Sequence, residues 1–187
     1  MTLTDWFEKG ISPEAYLKGM QTHKENTAKI YEGFHVPSDD HAFFQALCAE
    51  KLRVIVLTED WCGDAMMNLP ILLKIAEKSE MEVRILLRDQ NLELMDQYLT
   101  NGTSRSIPIF IFLDQDGEEK AVWGPRAKEV QSFVEQTMSS LPAKDDPSFD
   151  EKRKEMIAAM TKKYVNDTQM WTTVYESVKK TLSNMNQ

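Results

Sequence analysis

The sequence predicts an α/β protein, with a mixed central sheet of at least four strands flanked by helices and extra helices at both ends. Two observations predict it. Short apolar, β-branched runs alternate with helix-length segments through the middle of the chain. The last two strand-like runs are instead joined by a tight turn, Asp114–Gly117, as in a hairpin. Crossovers followed by a hairpin require parallel and antiparallel pairs in one sheet, with helices on both faces.

Residues 1 to about 50 read as helices. Ser12-Pro13-Glu14 is a start signal, with serine as cap and proline at the first helical position; Tyr16, Leu17 and Met20 follow at helical spacing, and Gly33 is the stop. Ser38 is the cap expected for a second helix, Asp39–Glu50, striped by Phe43, Phe44, Leu47 and Cys48. Leu52–Thr58 reads as a strand buried in a parallel sheet. A helix follows from Gly63 to about Ser79 with Pro70 inside it. Met81–Leu87 reads as a strand, Leu92–Leu99 as a helix, Ile107–Leu113 and Glu119–Trp123 as the hairpin, and Ala127–Ser139 as a closing helix. Leu141–Pro147, with two prolines and several charges, is a linker. Ser148 and Glu151 are spaced as a capping box for a tail of one or two helices, whose seam of Trp171, Val174, Tyr175, Val178 and Leu182 packs onto the domain. The organisation expected is an N-terminal helical extension over 1–37, a domain over 38–140 and a helical tail over 148–187.

Composition excludes several classes of function. Hydrophobic content of 42% and charged content of 28% are those of a globular protein. The longest apolar run, Ile107–Leu113, is far shorter than the ~18–20 residues that span a bilayer. A net charge of −8 argues against nucleic acid or an anionic membrane as partner. Two cysteines cannot make a disulfide scaffold, and the first residues lack a basic region followed by an apolar one, so a reducing cytoplasm is expected. His23, His35 and His41 have no metal-ligand spacing with the cysteines. No metal or cofactor is expected.

The sharp feature is Trp61-Cys62-Gly63-Asp64-Ala65, set between a buried strand and a helix start. A cysteine there meets unpaired backbone N–H groups and the positive end of the helix dipole, both of which favour the nucleophilic thiolate. A second cysteine three residues on would resolve a mixed disulfide. Ala65 holds that position, so no disulfide can form within the loop.

Here the chain resembles thioredoxin. That family reads Trp-Cys-Gly-Pro-Cys where this chain has Trp61-Cys62-Gly63 and then departs. The match continues with Pro70-Ile71-Leu72 inside the helix, Asp89-Gln90-Asn91 after the next strand, Arg105-Ser106-Ile107-Pro108 at the family's cis-proline loop, and Gly124 after the last strand. Thr58–Asp64 also matches a bacterial thioredoxin-like subgroup. The likeness covers roughly residues 40 to 140. It implies a thioredoxin fold whose first strand has only Gly33–Val36 as a candidate, with Ile107, Pro108, Arg105 and Gly124 at the substrate-docking edge. Val56 replaces the proton-shuttling aspartate of the family. The resemblance thus implies a monothiol disulfide oxidoreductase acting through Cys62 on protein or low-molecular-weight mixed disulfides. A redox-inactive peptide-binding module on the same fold is the alternative.

Charge near the sulfur opposes that chemistry. Glu59, Asp60 and Asp64 lie within three residues of Cys62. At roughly 7 Å each carboxylate costs the thiolate ~0.6–2.4 kcal/mol, against the ~0.3–1 kcal/mol contributed by the helix terminus. With Arg105 offsetting one acid, an exposed thiol near the ordinary value of ~8.5 is expected. Cys48, on an apolar stripe, reads as a small buried hydrophobe. It lies ~15–20 Å from Cys62 across the strand, beyond the reach of a disulfide. Met66 and Met67 read as core.

Overall fold

The computed structural model describes residues 1–185, so the last two positions of the expected 148–187 tail lie outside the described residues. Helix α1 (Leu3–Lys9) is set by a capping box between Thr2 and Asp5. The helix expected from Ser12 to Gly33 is two: α2 (Pro13–Gly19), capped by Ser12, and α3 (Lys24–Gly33). The break has a physical cause. His23 takes a left-handed φ of 59°, and the Asp60 carboxylate accepts the backbone N–H groups of Gln21 and Thr22 at 2.7 and 3.0 Å. A side chain from the loop before Cys62 therefore satisfies donors that a continuous helix would have used internally.

A single 3-10 turn (Ser38–Asp40) leads into α4 (His41–Glu50), and Ser38 makes no side-chain cap to it. Then follow β1 (Arg53–Thr58), α5 (Gly63–Ser79), β2 (Glu82–Leu87) and α6 (Leu92–Met95). Helix α6 stops well short of the Leu99 expected from the sequence. The chain continues with β3 (Ile109–Leu113), β4 (Glu119–Trp123), α7 (Lys128–Ser139), α8 (Phe149–Asn166) and α9 (Thr168–Ser183). The expected Ser148–Glu151 capping box does not form, because the Ser148 hydroxyl turns back to Asp146 at 2.7 Å.

The sheet order is β2-β1-β3-β4. β1 pairs parallel with β2 through the α5 crossover, and β3 runs antiparallel to both β1 and β4. No strand forms at Gly33–Val36. The outer edge of β2 is met instead by Ile11, whose backbone exchanges two hydrogen bonds of 2.9 Å with Ile85.

Strand alternation sorts the core into two layers. Val54, Val56, Phe110 and Phe112 face a layer built with α2–α5 and α7–α9. Ile55, Leu57, Ile109 and Ile111 face a smaller one with Trp6, Phe7, Leu94 and Met95. Complete burial of such side chains contributes about 1.5–3 kcal/mol each before chain entropy is counted. Met66 and Met67 are core. The tail packs on the first layer, with Val174, Tyr175 and Val178 fully buried. Cys62 and Ala65 belong to the smaller layer, so α5 emerges beside the seam between the two cores.

Candidate functional site

Cys62 is the N-cap of α5, in extended backbone; its sulfur makes no capping hydrogen bond, but the Ala65 and Asp64 amides at the helix start favour its thiolate. Those are the groups the sequence nominated, and they sit there because a helix start leaves its first N–H groups unpaired. Opposite, the Cys62 Sγ lies 3.5 Å from the Ile107 carbonyl, to which its S–H donates. The Ile107–Pro108 peptide is cis. Gly124 closes the loop from behind at φ +128°, where a Cβ would stand 2.2 Å from the Pro108 oxygen. Only glycine fits that approach.

Burial corrects the sequence reading. Cys62 was expected exposed, with an ordinary thiol; it is only 8% exposed. Desolvation first, then the Asp64 charge, push its thiol up to about 11, against the pull of the two amides and of Arg126. Trp61, by contrast, is half-exposed and carries the Arg88 guanidinium over its ring at 4.9 Å. Arg88 also donates to the Arg105 carbonyl and pairs with Asp89, tying the Trp61 loop to the segment before Pro108.

The three acids near the sulfur separate by what they touch. Glu59 is buried and accepts the Asp89 N–H at 2.8 Å; desolvation raises its carboxyl. Asp60 caps the break between α2 and α3. Only Asp64 acts on the thiol. Arg105, expected to offset one of these acids, is held in a fork by Asp96 on the surface. The counter-charge beside Cys62 is Arg126, which grips Asp64 with Nε–Oδ1 at 2.8 Å and Nη2–Oδ2 at 2.6 Å. Tyr164, from α8, donates its hydroxyl to the same Oδ1 at 2.9 Å. Asn68, one turn along α5 from Asp64, donates to the Pro125 carbonyl at 3.0 Å. Tyr16 is buried on the other side, its phenol raised by desolvation and further by Asp60, Glu59 and Cys62.

Arg126, Tyr164, Asn68 and Tyr16 were missed in the sequence. One signal pointed to the first two: a carboxylate in the first turn of a helix running into a core needs a cation and a donor from elsewhere. Cys48 is half-buried and free; its S–H donates to the Lys78 carbonyl at 3.6 Å. Among the described residues no cluster of histidine, cysteine or carboxylate is placed to hold a metal ion, and no helix is long and apolar enough to cross a membrane. A cleft of about 900 Å³ between α2, α3, α5 and β2, lined by Leu17, Leu73, Met81 and Val83, contains neither cysteine.

A family model described as thioredoxin matches residues 10–139. Among solved structures, a protein of unknown function from Pseudomonas aeruginosa superposes with a TM-score of 0.63 at 18% identity, covering 88% of this chain and 95% of its own. An HIV epitope-scaffold gives 0.58 at 17% identity, covering 94% and 99%. These two likenesses concern the fold. No curated protein matches the sequence.

Proposed function

This chain belongs to the thioredoxin family, and on that premise we propose that it is a monothiol thiol–disulfide exchange protein acting through Cys62. The observation that carries the reading is the placement of one sulfur at the N-terminus of α5, against the Ile107 carbonyl beside Pro108. The Cys62 thiolate attacks one sulfur of a disulfide, forming a mixed disulfide and releasing the other sulfur as a thiolate. Ala65 cannot resolve it, so an external thiol attacks the mixed disulfide and regenerates Cys62. The partners are protein disulfides or low-molecular-weight thiols, the natural compartment is the cytoplasm, and no cofactor is required. Trp61, Ile107, Pro108 and Gly124 form the docking edge.

A thiol near 11 makes this slow. At pH 7 about one molecule in 10⁴ carries the thiolate, and its greater nucleophilicity recovers only about 40–100-fold of that deficit. The same burial supports a second reading, in which the edge binds peptides and the thiol is idle. Oxidised glutathione offered at pH 9.5, followed by peptide mass spectrometry, separates the two. Exchange predicts a glutathione adduct on Cys62 that is released by added thiol and abolished in Cys62→Ser. If Cys62 carries no adduct while the denatured chain does, and peptide capture survives in Cys62→Ser but fails in Trp61→Ala, the binding reading replaces it.

A further inference from the structure

Asp64 takes the place of the proline in the family's Trp-Cys-Gly-Pro-Cys loop, and the structure surrounds it with more apparatus than a solvent-facing carboxylate needs. Its side chain is 12% exposed. A two-point fork from Arg126 and a hydroxyl from Tyr164 occupy both oxygens, and Arg126 is itself oriented by Gln131 at 2.7 Å. These partners come from three elements other than Asp64's own α5: the loop between β4 and α7, α7 and α8. Tyr164 lies beyond residue 139, outside the family match, and is 100 residues from its acceptor. It is fixed in turn by the tail, because Trp171 Nε1 donates to the Tyr164 carbonyl at 2.7 Å.

We propose that Arg126 and Tyr164 are positioning residues for Cys62, and that the docked C-terminal tail thereby sets the reactivity of the thiol. The Asp64 carboxylate lies two residues from the sulfur, so whatever holds or neutralises it decides how much negative charge faces a developing thiolate. The fork supplies one full positive charge and the Tyr164 hydroxyl supplies a dipole, both directed at the Asp64 carboxylate. Groups facing the thiol from other elements are Arg126, and Tyr16 on α2; Tyr164 acts on Asp64. Glu59 and Asp60, on the thiol's own loop, are committed to the Asp89 and the Gln21 and Thr22 amides. The raised Cys62 thiol, with Asp64 opposing and Arg126 assisting ionisation, agrees with this arrangement. For its purpose the inference rests on the exchange reading. Its geometry does not.

The test is the pH profile of Cys62 alkylation by iodoacetamide in the full chain carrying Cys48→Ser, with thermal unfolding run in parallel. Asp64→Asn removes the opposing charge and leaves Arg126, so the rate at pH 8 rises about tenfold, the size a charge at roughly 6–8 Å gives at intermediate screening. Arg126→Gln leaves Asp64 uncompensated and lowers the rate by a similar factor, and Arg126→Lys recovers part of it. Tyr164→Phe, which keeps the ring in the core, lowers the rate about two- to threefold. The double variant Asp64→Asn/Arg126→Gln returns to within about threefold of the parent, because the two charge changes cancel, and this cancellation of opposite shifts is one that a purely structural role does not produce. If Arg126→Gln does not fold, Asp64→Asn and Tyr164→Phe decide the matter. Profiles in the folded variants that superimpose on the parent's overturn the proposal, whatever happens to thermal stability. Shifted profiles with no glutathione adduct on Cys62 uphold it and remove the exchange reading instead.

Discussion

The two cysteines mark opposite ends of one helix. Cys62 stands at the N-terminus of α5, where the first amides favour its thiolate, whereas the Cys48 S–H donates to the Lys78 carbonyl near the C-terminus. Peptide dipoles alone would make Cys62 the reactive thiol. Solvent access runs the other way, with Cys48 half-buried and Cys62 buried beside Ala65 and Ile107. The difference teaches that a helix terminus is a modest term. Desolvation and one carboxylate outweigh two amides and an arginine, and the thiol rises to about 11.

The largest effect is expected where the Cys62 end is tightest. Gly124→Ala places a Cβ 2.2 Å from the Pro108 oxygen at a φ of +128°, and should destabilise the protein by about 3 kcal/mol or more, read from urea midpoints. A loss below about 1 kcal/mol would mean that the loop behind Pro108 is not a close-packed wall.

Next in size is a pH effect that belongs to Cys62. Its folded thiol holds a proton up to about 11, while an unfolded chain releases it near 8.5. Between these values the folded state binds more protons than the unfolded one, so stability falls as pH rises. The contribution is whole below about pH 8.5 and is lost progressively toward pH 11, amounting to about 3 kcal/mol. Urea unfolding at pH 8, 9 and 10 should therefore show a steeper decline for the parent than for Cys62→Ala, and comparing the two slopes removes the background from the tyrosines. Parallel slopes would place Cys62 in contact with solvent.

The smallest effect is at the motif glycine. Gly63 has open space where a Cβ would stand and sits at the first position of α5. Gly63→Ala should thus change stability by less than about 1 kcal/mol, in the stabilising direction. A large loss would show that the Cys62 loop, and not only the wall behind it, is closed to side chains.

The sheet and the place of Cys62 were legible because both rest on local chemistry. β-Branched runs, the Asp114–Gly117 turn and a helix start after Cys62 each act over a few residues. What stayed illegible depended on distant groups. The break between α2 and α3 is fixed by Asp60, some 40 positions on, and α6 ends early although its sequence continues to favour helix. Ser148 preferred Asp146 to a capping box. At the site, Asp64 was visible as a charge, but its neutralisation by Arg126 and Tyr164 requires the folded loop and tail. Arg105 looked like the counter-ion because it lies close to Pro108 in sequence; its guanidinium faces Asp96 instead. Exposure of Cys62 was misjudged for the same reason. A loop position says where a side chain starts, and the Ile107 carbonyl and the smaller core layer decide whether water reaches it.

The comparison of the two thiols is tested most directly by following both in one sample. The folded parent protein is alkylated with iodoacetamide from pH 7 to pH 10, and peptide mass spectrometry reads each cysteine separately. The account predicts that Cys48 is modified first at pH 7, and that the Cys62 rate climbs about tenfold per pH unit without levelling by pH 10. A Cys62 rate that exceeds that of Cys48 at pH 7 and levels off by pH 8.5 would contradict it.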